Sequence, residues 1–134
     1  MMKQYGAIPY LIKDGELHVV LVTSASGSWI FPKGNLEEDL GKCATARLET
    51  LDEAGVKGII HPKNAYRANV VIGEGKKARL LLYPLEVETI HAEWPEDCHR
   101  KRAVVSVADA CKLIESDELK KCLWRFASDY HNKK

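Results

Sequence analysis

The chain has 134 residues, of which 46% are hydrophobic and 29% are charged, and its formal net charge at pH 7 is +1. This balance is typical of an ordinary globular domain, and the length is sufficient for one domain with a real hydrophobic core. A net charge so close to zero argues against a broad nucleic-acid-binding surface and leaves room only for local basic clusters.

The N-terminus and the cysteines bear on the cellular compartment. The first residues, MMKQYGAIPYLI, lack the long apolar region of a signal peptide, and no run in the chain approaches the length of a membrane span. The cysteines have no C-x-x-C spacing, which disfavours a zinc site or a disulfide framework. They are Cys43, Cys98, Cys111 and Cys122. We expect reduced, mostly structural thiols in a single cytoplasmic domain over residues 1–134, with no membrane partner.

The chain begins with a pattern typical of a β-hairpin. Residues 5–12 and 17–23 are rich in β-forming side chains and flank the turn-like segment from Lys13 to Glu16. Residues 24–28 are small and polar and predict a loop. The short apolar run that follows, from Trp29 to Phe31, is stopped by a proline.

A helix is predicted next, over residues 42–54. Gly55 stands where a helix commonly ends with a glycine. Ala44, Leu48 and Leu51 repeat at helical spacing and predict the buried face of this helix.

The second half of the chain predicts another hairpin and a third strand. Residues 66–72 and 78–89 have strand-like composition, and residues 73–77 form the glycine-containing tip between them. Residues 93–96 predict a loop, and residues 103–106 a short strand.

Two further helices are predicted at the C-terminal end. Ser106 with Asp109 forms a capping-box-like start for a helix that runs to about Ile114, and Ser116 caps a last helix. The apolar positions of the last helix are Leu119, Leu123, Trp124 and Phe126. Helices that alternate with strands predict an α/β fold, in which a mixed sheet is covered on both faces as an α/β/α sandwich.

Three carboxylates on the first predicted helix are the main candidates for chemistry. Glu49, Asp52 and Glu53 lie three and four residues apart and therefore share one helical face. Like charges placed together repel, so this arrangement gives a helix no intrinsic stability. A divalent cation such as Mg²⁺ or Mn²⁺ would turn the repulsion into binding, because hard cations prefer carboxylate oxygens. A solvated acidic helix face is the alternative interpretation.

The stretch from Phe31 to Val56 resembles the box of the Nudix hydrolases. The pattern of that box is G-x5-E-x7-R-E-U-x-E-E-x-G-U, where U is a bulky apolar residue. The positions that match are Gly34, Glu49, Glu53, Gly55 and Val56, and Asp52 is a conservative change. Leu40 replaces the first Glu, Leu48 the Arg and Thr50 the first apolar residue. The resemblance implies a Nudix-type α/β/α sandwich with a mixed sheet.

The resemblance also implies an activity, the cleavage of a diphosphate linkage by water with the help of Mg²⁺ or Mn²⁺. It implies that Glu49, Asp52 and Glu53 bind the metal and that Glu49 and Glu53 are the catalytic residues, with Glu49 as a further ligand or as the base. A bound metal lowers the pKa of its water and clamps phosphate oxygens. Because Leu48 removes a positive charge, we expect the acids to ionise together less readily when metal is absent.

A wider resemblance points to the substrate class. The segments GAIPYLI, WIFPKGNLE, EAGVKG and RKRAVVSVADA are similar to the diphosphoinositol polyphosphate phosphohydrolase branch, which includes hydrolases of diadenosine polyphosphates. In that branch a basic R-x-R element faces the polyphosphate, and Arg100 and Arg102 match it. Lys33 and Arg79 are further candidates for substrate binding. Arginine is suited to bidentate phosphate contacts, although ordinary solvated charges are the alternative for these residues.

Two other functions stay open at this point. One is a catalytically impaired Nudix-fold module that binds a nucleotide or polyphosphate, which Leu40, Leu48 and Asp52 favour. The other is hydrolysis at an RNA end, and the near-zero net charge counts against it. We therefore expect a phosphorylated small-molecule substrate and no nucleic-acid partner.

Overall fold

The computed structural model describes residues 1–133, in which one mixed sheet lies between helices. The strands are β1 (Met2–Lys13), β2 (Glu16–Thr23), β3 (Trp29–Ile30), β4 (Lys33–Asn35), β5 (Val56–Ile60), β6 (Tyr66–Ile72), β7 (Lys76–Ile90) and β8 (Arg102–Ser106). The helices are α1 (Gly41–Ala54), α2 (Val107–Leu113) and α3 (Asp117–Asn132).

Strand β1 is central to the sheet. It pairs in parallel with β7 and antiparallel with β2 and β4. Strand β2 also pairs with β3 and β8, and β7 pairs with β5 and β6. Parallel and antiparallel pairs therefore occur together, and the predicted mixed sheet is confirmed.

The two faces of the sheet are covered by different helices. Alternate residues of a strand point to opposite faces. Ile8 and Tyr10 of β1 belong to the core that packs against α2 and α3. Ala7 of the same strand belongs to a smaller core with Ala54 at the end of α1 and with Leu85. The predicted α/β/α sandwich is confirmed, and among the helices of residues 1–133 it places α1 on one face and α2 and α3 on the other.

Two strands that the sequence did not indicate shape the candidate site. Strand β4 is only three residues long and passes through Gly34, so its sequence reads as loop. Strand β5 follows α1 directly, and its pairing with β7 is interrupted by a register shift between Lys57 and Gly58. This irregularity and the glycine remove the alternating pattern by which a strand is predicted.

The predicted helix ends are confirmed. Gly55 adopts the left-handed conformation with φ 67° at the end of α1. The hydroxyls of Ser106 and Ser116 accept hydrogen bonds from the backbone N–H groups three residues later, at the starts of α2 and α3.

The prediction of the buried face of α1 was wrong. Ala44, Leu48 and Leu51 are only half-buried. The fully buried positions are Thr45, Ala46, Thr50, Glu53 and Ala54. Threonine is tolerated there because the hydroxyls of Thr45 and Thr50 each donate to the carbonyl four residues earlier, at 2.7 Å. The face predicted from the apolar residues is therefore rotated around the helix by about one residue from the face that is buried.

One apolar position of α3 was also misassigned. Leu119, Leu123 and Phe126 are buried as predicted, whereas Trp124 is 54% exposed. A helix presents only one stripe to its core, and the residue that follows Leu123 lies about 100° away from it.

All four cysteines, which lie within the described residues, are free thiols. No helix within residues 1–133 combines the length and the apolar character that crossing a bilayer requires.

Candidate active site

The candidate site lies where β4 packs against α1, and Gly34 permits the contact. A Cβ atom at Gly34 would lie only 2.3 Å from Cδ of Glu49 and 2.6 Å from both of its carboxylate oxygens. A side chain at this position would displace the Glu49 carboxyl group, since non-bonded carbon atoms prefer a separation of about 3.5–4.0 Å. The glycine of the box pattern therefore lets a catalytic candidate lie flat against the strand.

Glu53 is the most buried carboxylate of the site. It is 5% exposed, and its Oε1 accepts a hydrogen bond from the backbone N–H of Lys33 at 3.2 Å. Its Oε2 lies 3.4 Å from Nη2 of Arg100. Burial raises the pKa of Glu53 to about 7, against the lowering effects of Arg100 and the Lys33 amide, while Glu49 raises it further. The group is therefore poised near neutrality and sensitive to any added cation.

The other two carboxylates of α1 are also perturbed. Burial is the largest cause that raises the pKa of Glu49, and Asp52 and Glu96 raise it further. A hydrogen bond with Glu53 acts in the opposite direction. Burial and then Glu96 raise the pKa of Asp52 as well. The pKa values of Glu49, Asp52 and Glu53 are therefore all raised, and burial is the largest cause for each of them.

Arg100 supplies a guanidinium that the box lacks at Leu48. Besides its ion pair with Glu53, it bonds through Nε to Oε1 of Glu96 at 2.7 Å and donates through Nη1 to the carbonyl of Thr23 at 2.8 Å. The contact of Arg100 with a polyphosphate, which the resemblance implies, stays a prediction. The guanidinium of Arg100 is directed at the carboxylates of the site, because three fixed acceptors hold it there.

Glu96 is a fourth carboxylate of the site, and sequence reasoning missed it. It lies in the loop between β7 and β8, and its backbone N–H donates to the carbonyl of Asp52 at 3.0 Å. This backbone bond docks the loop on the end of α1. The only available signal was an arginine four residues later, at Arg100, and that spacing has little meaning outside a helix.

Arg102 is held at the end of α1, and its contact with substrate stays a prediction. Its Nη1 donates to the carbonyls of Ala54 at 2.8 Å and His91 at 2.7 Å, and its guanidinium lies 4.0 Å from the ring centroid of Trp94. Trp94 in turn donates from Nε1 to the carbonyl of Glu53 at 2.8 Å. Both side chains satisfy carbonyls that the end of a helix leaves unpaired.

The two remaining candidates for substrate binding lie in different places. Lys33 is half-buried beside Glu53, and burial lowers the pKa of its ammonium group while Glu53 raises it. Arg79 lies on β7 and lines a groove that none of the α1 carboxylates lines. The structure therefore brings Lys33 to the site and leaves Arg79 outside it.

Leu40, in place of the first box glutamate, is exposed. It is the residue at the start of α1, it is 50% exposed, and it makes no side-chain cap. The adjacent turn is held instead by Thr45, whose hydroxyl accepts from the backbone N–H of Glu37 at 3.0 Å. The first glutamate of the box pattern is therefore replaced at an exposed position of the loop.

The donor set fits a hard divalent cation chemically. Carboxylate oxygens are the ligands that Mg²⁺ and Mn²⁺ prefer, and a cation would relieve the effects that raise the pKa of all three acids. Within residues 1–133, no three His, Cys, Asp or Glu side chains already converge on one point at which an ion would sit. An ion held by all three carboxylates would therefore require their side chains to rotate toward one point.

Comparison with known proteins found relatives over most of the chain. Nudix hydrolase 13, mitochondrial, from Arabidopsis thaliana is 30% identical over a region that covers 90% of this chain and 71% of that protein. Diphosphoinositol polyphosphate phosphohydrolase 2 from Rattus norvegicus is 32% identical over 76% of this chain and 57% of its own length. The crystal structure of a C. elegans Ap4A hydrolase binary complex has the same fold, with a TM-score of 0.81, 19% identity and coverage of 98% of this chain and 99% of that one. No protein-family model matches the chain.

Proposed function

The chain belongs to the Nudix hydrolase family, and from this membership we propose that it is a divalent-metal-dependent pyrophosphohydrolase. The observation that carries the proposal is the setting of Glu53, which is buried on α1 between the Lys33 amide and Arg100. Burying a carboxylate costs free energy unless a charged or hydrogen-bonding partner compensates. Perturbed carboxylates grouped in this way are typical of functional sites.

We propose distinct roles for the three carboxylates. Glu53 and Asp52 are metal ligands, and Glu49 is a further ligand or accepts the proton of the attacking water. A bound Mg²⁺ or Mn²⁺ lowers the pKa of water and offsets charge on the phosphate oxygens. Glu49 is suited to the proton because it is only half-buried and its pKa is already raised.

The neighbouring residues position these groups. The Lys33 amide fixes one oxygen of Glu53, and Arg100 holds the other. Glu96 anchors Arg100 through its Nε. This network performs the orienting role that an arginine at position 48 would have.

For the substrate, we propose a nucleotide or another polyphosphorylated small molecule of the diadenosine polyphosphate or diphosphoinositol polyphosphate type. The names of two similar proteins support this class, since one is a diphosphoinositol polyphosphate phosphohydrolase and the other an Ap4A hydrolase. The half-buried Lys33 ammonium beside Glu53 supplies a cation for the phosphate at which water attacks.

A catalytically impaired binding module is the second candidate. It is favoured by the ion pair of Arg100 with Glu53, because an internal cation already occupies one face of the carboxylate that a metal needs. In that case a nucleotide or polyphosphate binds with no need for metal and is not cleaved.

A substrate panel separates the two candidates. Purified protein is incubated with nucleoside, dinucleoside and inositol polyphosphates in Mg²⁺, in Mn²⁺ and in EDTA, and products are followed by ion-exchange chromatography. The enzyme proposal predicts turnover of at least one compound that depends on the metal. Metal-independent binding without product from any compound would instead identify the module.

A further inference from the structure

A basic groove lies on the α1 face of the sheet, beyond the carboxylates. Its volume is about 470 Å³, and four cationic side chains line it. They are Lys3, Lys42, Arg67 and Arg79. Since the whole chain carries a net charge of only +1, this is a strong local concentration of positive charge.

The sheet register explains why these side chains meet. Lys3 of β1 is paired with Arg79 of β7, and Arg79 is paired with Asn69 of β6. Arg67 lies two residues before Asn69 and so points to the same face. Neighbouring strands are about 4.8 Å apart, which lets long side chains from three strands reach one anion.

The fourth cation comes from the helix. Lys42 is near the start of α1, and its Nζ lies 5.8 Å from the ring centroid of Tyr5, which also lines the groove. Lys42 therefore extends from the helix across the sheet and forms one wall of the groove.

The charge of this groove is not compensated. None of the four cations lies within 4.0 Å of a carboxylate oxygen in residues 1–133. Glu118 lines the groove too, but its carboxylate is 3.4 Å from the ammonium of Lys121. Gathering like charges without a counterion is unfavourable, and an anionic ligand removes the repulsion.

The groove leads to the carboxylate site. Tyr5 is paired with Gly34, the glycine on which Glu49 packs. Lys42 and Glu49 are seven residues apart on α1, which places them on one helical face about 10 Å apart along the axis. A ligand held by the groove therefore reaches the carboxylates only if its anionic part extends over that length.

We propose that this groove binds the distal phosphates of a small-molecule polyphosphate whose cleaved bond lies at the carboxylates. The inference rests on the proposed function and makes it more specific. It assigns specificity for substrates with several phosphates to Lys3, Lys42, Arg67 and Arg79, over substrates that carry a single diphosphate.

The test compares the intact protein with the double variant R67Q/R79Q. Inorganic tripolyphosphate is titrated into each protein by calorimetry. EDTA removes divalent cations, so that the α1 carboxylates repel the anion and the titration measures binding to the groove. The variant should bind at least about tenfold more weakly, because it loses the charged hydrogen bonds of two guanidinium groups to the anion. K13Q/K63Q removes two exposed lysines outside the groove and is the charge-matched control. The proposal is wrong if all three proteins bind tripolyphosphate with equal affinity, or if the two variants lose affinity to the same extent.

Turnover in Mg²⁺ separates this inference from the proposed function. R67Q/R79Q should raise KM for diadenosine tetraphosphate about tenfold with kcat unchanged, and leave KM for ADP-ribose unaltered, since uniform binding energy appears in KM. An equal rise in KM for both substrates would contradict the proposal that the groove binds distal phosphates. If the intact protein cleaves neither substrate, the proposed function fails. The tripolyphosphate titration then decides by itself whether the groove binds a polyphosphate.

Discussion

Glu53 is a buried carboxylate whose charge changes near neutral pH. Its pKa is about 7 in the folded protein, whereas the ordinary value is 4.5. The folded state therefore binds more protons than the unfolded state between these two values. By linkage, the contribution of Glu53 to the free energy of unfolding is fully present below pH 4.5. This contribution falls as the pH rises to about 7.

We predict that the variant E53Q, which cannot ionise, loses this fall. In EDTA its stability relative to the unchanged protein should increase between pH 5 and pH 8 by up to 2–3 kcal/mol, an order-of-magnitude figure. Urea unfolding at the two pH values measures the difference. A constant difference across this range would show that Glu53 titrates normally.

Arg100 is predicted to set the working pH of the site. It lowers the pKa of Glu53, so R100Q should raise that pKa and move the acidic limb of the pH–rate profile to higher pH. We expect roughly tenfold lower activity at pH 7, with partial recovery at pH 9. R100K keeps the charge and should show a smaller shift. If R100Q lowers activity equally at every pH, Arg100 does not act through Glu53.

Gly34 is predicted to be necessary for the position of Glu49. The Cβ of G34A would displace the Glu49 carboxyl group, and a displacement of about 1 Å at a reacting group can lower kcat a hundredfold. G73A is the control, because a Cβ at Gly73 has no atom within 4 Å. Equal kcat values for the two variants would mean that Glu49 is not catalytic.

At the scale of elements, the end of α1 is fixed by side chains from the β7–β8 loop. Arg102 and Trp94 donate to the carbonyls of Ala54 and Glu53, and Gly55 closes the helix in the left-handed conformation. The loop that carries Glu96 and Arg100 is thereby attached to the helix that carries the carboxylates.

We predict that R102Q destabilises the fold and leaves the chemistry intact. Loss of two charged hydrogen bonds and of the contact with Trp94 should lower the free energy of unfolding by about 1–3 kcal/mol. Activity per folded molecule should stay within about twofold, since Arg102 touches no carboxylate of the site. The exposed Arg47 on the same helix provides the control R47Q. A large rise in KM for R102Q with unchanged stability would restore Arg102 to the substrate site.

The elements differed in how far the sequence revealed them. The first hairpin, the caps of all three helices and the long strand β7 follow local rules of turn, cap and composition, and these predictions are confirmed. Strands β4 and β5 were missed because their pairing is imposed by β1 and β7. The buried face of α1 was missed because Thr45 and Thr50 satisfy their hydroxyls within the helix, which no hydropathy pattern shows.

At the scale of the molecule, the sandwich brings distant segments to one edge of α1. The carboxylates of α1 are close in sequence, so their grouping was predictable from helical spacing. Arg100 and Glu96 come from a loop more than forty residues later, and their contacts depend on how β8 pairs with β2. The likeness to a family pointed to Arg100 and Arg102, but only the fold showed that one guanidinium faces the acids and the other the helix end.

We propose that the α1 carboxylates support metal-dependent hydrolysis of a phosphoanhydride bond. The most direct test is the turnover, in Mg²⁺, of the best compound of the polyphosphate panel by the unchanged protein and by E53Q, with circular dichroism to confirm that both are folded. We predict metal-dependent product formation by the unchanged protein and a loss of at least about a hundredfold in E53Q. Full activity of E53Q, or equal turnover in Mg²⁺ and in EDTA, would contradict the claim.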